Sequence, residues 1–166
     1  MIKQTHPGLY DEIQTDGCYF MVDLSIGEDI ALRIGKQHHQ FTPEEINLAY
    51  DYAIPKFMHD GTEARKNRCY ILDHREIVGI GLRLMGFRDF EMEYLYRKDG
   101  DQIIIGSELN LDRCNYFVKE VLVGNGPVTH FVRCDRIGVS LYNPGITDDM
   151  DWESFRGYLV KVQGGI

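Results

Sequence analysis

The chain lacks any apolar run long enough to cross a membrane, which takes about 18 or more such residues in succession. Its opening, Met1-Ile2-Lys3-Gln4-Thr5-His6-Pro7, lacks the apolar centre of a signal peptide, so the expected location is the cytoplasm. Cationic residues are also scarce. Eighteen lysines and arginines against 26 aspartates and glutamates leave a net charge of −8. That balance argues against a nucleic-acid partner, whose binding needs clustered cations, and against an anionic membrane surface. Cys-x-x-Cys pairs are missing as well. The four cysteines, Cys18, Cys69, Cys114 and Cys134, have neither zinc-ligand spacing nor the density of a disulfide scaffold. Most of them are expected to pack as small apolar groups. No repeat, low-complexity tract or linker interrupts the 166 residues, which therefore read as a single domain over 1–166.

What is present divides into a helix-rich first half and a strand-rich second half, the pattern of an α+β fold. Val22, Ile26, Ile30 and Ile34 recur every four residues, and Met21, Leu24, Ala31 and Leu32 cover much of the remaining surface. This predicts a buried helix from Gly17 to Ile34. Thr42, Pro43 and Glu45 form a capping box that opens a second helix, which Pro55 is expected to kink or end. Asp73 and Glu76 mark a third start, weakened by Gly79 and Gly81. Beyond Phe87, residues 92–96 and 103–105 flank a turn at Lys98-Asp99-Gly100-Asp101 and predict a hairpin. Further strands are expected at 116–123, 129–133 and 138–142, with a closing strand at 158–162. Gly124-Asn125-Gly126-Pro127 reads as a turn.

Cys18 differs from the other cysteines in its place. It follows Thr15-Asp16-Gly17 at the start of the first helix, where the positive end of the helix dipole favours a thiolate. His130 opens a later strand, and a short hairpin turning near Asp135-Arg136 would set it beside Asn143. A cysteine, a histidine and a residue that orients the imidazole form the constellation of a thiol nucleophile. The plainer alternatives are a buried structural thiol for Cys18, a satisfied strand histidine for His130 and an Asn-Pro turn for Asn143. His59 and His74 are isolated, and His38, His39 and His59 show no ligand spacing, so no metal is expected. The acidic run at 147–151 lacks the alternating oxygen ligands of a calcium loop.

The segment Gln14-Thr15-Asp16-Gly17-Cys18-Tyr19-Phe20-Met21 resembles the start of the buried helix in papain-like cysteine peptidases, C39-like families above all. His130-Phe131-Val132, followed by Gly138-Val139-Ser140-Leu141-Tyr142-Asn143-Pro144, resembles their histidine strand and its Asp-Pro partner block. The two blocks cover under a fifth of the chain. The resemblance implies a papain-like fold, with an N-terminal helical half packed on a C-terminal antiparallel sheet. It implies catalytic roles for Cys18, His130 and Asn143, and an oxyanion-hole role for Gln14. Gln14 stands four residues before the cysteine, closer than the family's glutamine, and Tyr19 replaces the glycine that often follows it. A fainter resemblance links the chain to small phage and spirochaete plasmid proteins.

The expected function is a cysteine-dependent hydrolase, a peptidase or amidase, acting on a peptide or peptidoglycan-type amide without a cofactor. The alternative is a non-catalytic papain-like binding or regulatory protein, of phage origin in one form. The sequence assigns no oligomeric state.

Overall fold

The computed structural model describes residues 1–35, 40–58, 69–122, 129–145 and 152–163. The turn expected at 124–127, the histidines at 38, 39 and 59, and the acidic run at 147–151 lie outside the described residues. Among the described residues there are five helices and one six-stranded antiparallel sheet, an α+β arrangement.

The buried helix predicted over Gly17–Ile34 is α2 (Cys18–Arg33). Its first fourteen residues are almost entirely buried, Asp23, Ser25 and Glu28 included, while Leu32 in the last turn is exposed. A short helix, α1 (Asp11–Asp16), precedes it and has no counterpart in the sequence periodicity. Helix α3 (Pro43–Phe57) carries the expected capping box. Thr42 Oγ1 accepts from the Glu45 amide at 3.2 Å, and Glu45 Oε1 accepts from the Thr42 amide at 3.0 Å. Pro55 does not end α3, which runs two residues further. So close to the terminus the proline removes a single backbone bond.

Helix α4 (His74–Leu84) forms despite its two glycines. A Cβ on Gly81 would lie 2.6 Å from the Leu24 carbonyl oxygen, and one on Gly27 would strike the Gly81 backbone. The glycine at 81, costly to an isolated helix, lets α4 cross α2 at backbone contact distance.

The sheet comprises β1 (Phe90–Asp99), β2 (Gln102–Ile105), β3 (Tyr116–Leu122), β4 (Thr129–Cys134), β5 (Ser140–Tyr142) and β6 (Ser154–Val162). A one-turn helix, α5 (Glu108–Leu111), follows β2. The spatial order is β2-β1-β6-β3-β4-β5. Strand β6 is inserted at the centre, between β1 and β3. One face packs on α2 and α4 through a core that includes Phe20, Leu24, Ile77, Val118 and Tyr158. The other carries a small cluster of Tyr96, Phe117, Cys134 and Phe155. No helix among the described residues is long and apolar enough to cross a membrane.

Candidate functional site

Cys18 is the first residue of α2, entered through Gly17. A Cβ on Gly17 would lie 2.6 Å from the Ile13 carbonyl oxygen, so the tight passage from α1 to α2 requires glycine. The backbone amides of Phe131, Tyr19 and Cys18 itself favour the thiolate. Burial outweighs them, and with some help from Asp16 it pushes the Cys18 thiol up to about 11. Cys18 is a thiol at neutral pH.

His130 and Asn143 meet as the hairpin geometry suggested. His130 Nε2 lies 2.6 Å from Asn143 Oδ1, which also accepts the Gly145 amide at 2.9 Å. With two donors converging on it, that oxygen can only accept. The His130 proton therefore sits on Nε2, and Nδ1 keeps its lone pair. The turn is clamped by the N-terminal segment. The Gln4 amide donates to the Pro144 carbonyl at 2.7 Å, and Lys3 Nζ to the Asn143 carbonyl at 2.5 Å. Burial holds the His130 pKa below its usual 6.5 and the Lys3 charge adds to this, against the Asn143 bond.

A cleft of about 960 Å³ opens beside Cys18. Its walls include Asp16, Cys18, Tyr19, His74, Tyr94, Phe131 and Arg156. Side chains alternate along β4. Phe131 stacks on Tyr19 of α2 at 4.2 Å, and Arg133 Nε donates to Ser25 Oγ of α2 at 3.1 Å. His130 belongs to the alternate set with Val132 and Cys134, and it does not line the cleft. No hydrogen bond joins its ring to the Cys18 sulfur; its neighbour Phe131 supplies the amide that faces it. Gln14 does not line the cleft either. Its Nε2 donates to the Leu9 carbonyl at 2.7 Å.

The imidazole on the cleft wall is His74, which sequence reading set aside as isolated. His74 Nδ1 lies 2.7 Å from Oδ2 of the fully buried Asp23, so the Nδ1–H donates to that oxygen. Asp23 Oδ1 accepts from the Tyr158 hydroxyl at 3.2 Å, and the Tyr158 and Tyr19 hydroxyls are 2.5 Å apart. Burial raises the Asp23 pKa, with the His74 charge and the two hydrogen bonds acting against it. A carboxylate inside the apolar run Met21-Val22-Asp23-Leu24 was the available signal, since a buried charge requires partners. Among the described residues no group of three or more His, Cys, Asp or Glu side chains could hold a metal ion. Compared with known proteins, the chain matches no family model, no curated protein and no solved structure.

Proposed function

We propose that the protein is a papain-like cysteine hydrolase, a peptidase or amidase, with Cys18 as nucleophile and His130 as base, oriented by Asn143. The supporting observation is the 2.6 Å bond from His130 to Asn143, which leaves Nδ1 free, one residue from the amide that faces the Cys18 sulfur. The pair starts neutral. His130 Nδ1 takes the thiol proton as the sulfur attacks the substrate carbonyl, and the C–S bond forms. The imidazolium returns that proton to the departing amine as the C–N bond breaks. Water then releases the acyl group by the same steps in reverse roles. The Cys18 backbone amide at the helix N-terminus stabilises the developing oxyanion. Because His130 lies in the alternate side-chain set of β4 and does not line the cleft, proton transfer requires its ring to turn toward the sulfur once substrate is bound.

One observation favours a second reading: His74, rather than His130, shares the cleft wall with Cys18. In that reading His74, held by Asp23, is the base. A third reading, a binding protein without catalysis, draws on the thiol's elevated pKa. Acyl transfer from p-nitrophenyl acetate separates them, with the acetylated residue mapped by mass spectrometry. Acetylation of Cys18 that disappears in His130→Ala and persists in His74→Gln supports the first reading. The opposite pattern transfers the role to His74. Acetylation confined to lysines removes the hydrolase altogether.

A further inference from the structure

The cleft face of the central strands carries a pair of arginines that the hydrolase reading does not use. Arg97 on β1 stands directly opposite Arg156 on β6. Like charges in direct cross-strand register are destabilising. Alternation alone would not put them together. A β-bulge between Tyr94 and Tyr96 shifts the register and brings Arg97 onto the same face as Met92 and Tyr94. Without the extra residue, Arg97 would fall on the opposite face.

Beside this pair lies the Tyr94 hydroxyl, which is buried and has no hydrogen-bond partner in good geometry among the described residues. The neighbouring Tyr19 hydroxyl lowers its pKa against burial as a weak hydrogen-bond neighbour, but does not meet it in full hydrogen-bond geometry. Leaving such a donor unsatisfied is unfavourable in a closed interior and is explained where a ligand supplies the acceptor. Among the described residues, neither guanidinium has all of its N–H donors engaged. Arg97 Nε is bonded to Asp99 Oδ1 at 2.9 Å. Arg156 Nε donates to Ser154 Oγ at 3.1 Å, and Arg156 Nη2 lies 3.6 Å from Glu120 Oε1. Asp99 and Glu120 thus each engage one edge of a guanidinium and leave the other edges to the cleft. Arg156 is also fixed in place by the Tyr19 and Phe131 rings, whose centroids lie 5.1 Å and 4.9 Å from its guanidinium carbon.

We propose that Arg97, Arg156 and the Tyr94 hydroxyl form an oxyanion-binding subsite that takes a carboxylate or phosphate group of the ligand in this cleft. The negative group sits between the two guanidiniums, relieves their repulsion and accepts the Tyr94 hydroxyl proton in a hydrogen bond. As a substrate subsite it rests on the hydrolase reading, and it narrows the substrate class to amides that carry an anionic group near the scissile bond. As a binding site it stands without that reading.

The test is anion binding by the full chain, followed by thermal unfolding with succinate and, separately, inorganic phosphate, each against chloride at equal ionic strength. Running it on the wild type and on Cys18→Ala separates binding from catalysis. A saturable rise in Tm with either anion is expected in both, and the anion that gives it identifies the chemistry. Arg97→Gln should weaken binding at least tenfold, as should Tyr94→Phe. Without anion, Tyr94→Phe should melt no lower than the wild type, because it deletes an unpartnered hydroxyl and nothing else. The proposal is overturned if neither anion exceeds chloride, or if the rise survives both substitutions. Binding in Cys18→Ala with no Cys18 acylation in the wild type would keep the subsite and discard the hydrolase.

Discussion

His130 and His74 each have one ring nitrogen held by an oxygen, yet the two holders differ in charge and in setting. His130 is held by the neutral amide of Asn143, thirteen residues away on the same hairpin. His74 is held by the buried carboxylate of Asp23, which comes from another helix and is braced by Tyr158 from the central strand. A neutral acceptor fixes the tautomer without fixing a charge, so the ring can gain a proton and lose it again. A buried carboxyl accepts from His74 and from Tyr158 at once, and removing it strands two donors. The first arrangement suits a transient base. The second suits a structural tie, one that also faces the cleft.

The sharpest separation comes from rate. His130→Ala should lower acyl transfer to Cys18 by about 100- to 10,000-fold, the usual span for a lost general base, as read from single-turnover acetylation. Asp23→Ala should act on stability instead. Removing the carboxyl leaves the His74 and Tyr158 donors buried without an acceptor, at about 1–3 kcal/mol each, and urea unfolding should show a loss of that order. A still smaller effect is expected from Gly145→Ala. Its Cβ would fall 2.8 Å from His130 Cε1 and 2.9 Å from Nε2, so the ring must move, at about 1–3 kcal/mol of overpacking. Histidine NMR should show the Nε2 proton signal of His130 shifted and the Nδ1 proton signal of His74 unchanged.

The smallest effect is a pH dependence with a defined sign. The His130 pKa is depressed in the folded state, so the unfolded chain binds its proton first. The stability contributed by neutral His130 is present above the unfolded value of 6.5 and is lost as pH falls through the folded value. Urea midpoints between about pH 5 and 7 should fall on acidification in the wild type and fall less in His130→Gln.

Much of the local structure was legible because it depends on neighbours in sequence. The cap at Thr42, the start at Asp73, the hairpin across Gly100 and the meeting of His130 with Asn143 all need only short separations. The Asp23–His74–Tyr158 tie needs three elements that meet only because β6 enters the middle of the sheet, and no local pattern announces that insertion. The bulge that turns Arg97 toward Arg156 is likewise a matter of pairing register, which alternation in one strand does not reveal. Gly81 reads as a weak point in isolation, and only the crossing with α2 explains it. The oxyanion role of Gln14 rests on the family resemblance despite its short spacing from Cys18, whereas its position on α1 directs its amide to Leu9.

Alkylation by iodoacetamide near neutral pH, with each thiol mapped, tests most directly whether Cys18 has a base. Cys18 and Cys114 make the informative pair. Burial pushes both thiols up to about 11, while Cys18 is buried and Cys114 is only partly so. If an imidazole relieves Cys18 of its proton, Cys18 reacts ahead of Cys114, Cys69 and Cys134, and His130→Ala abolishes that lead. If Cys114 reacts first and His130→Ala changes nothing, accessibility alone governs these thiols and Cys18 is not a nucleophile served by His130.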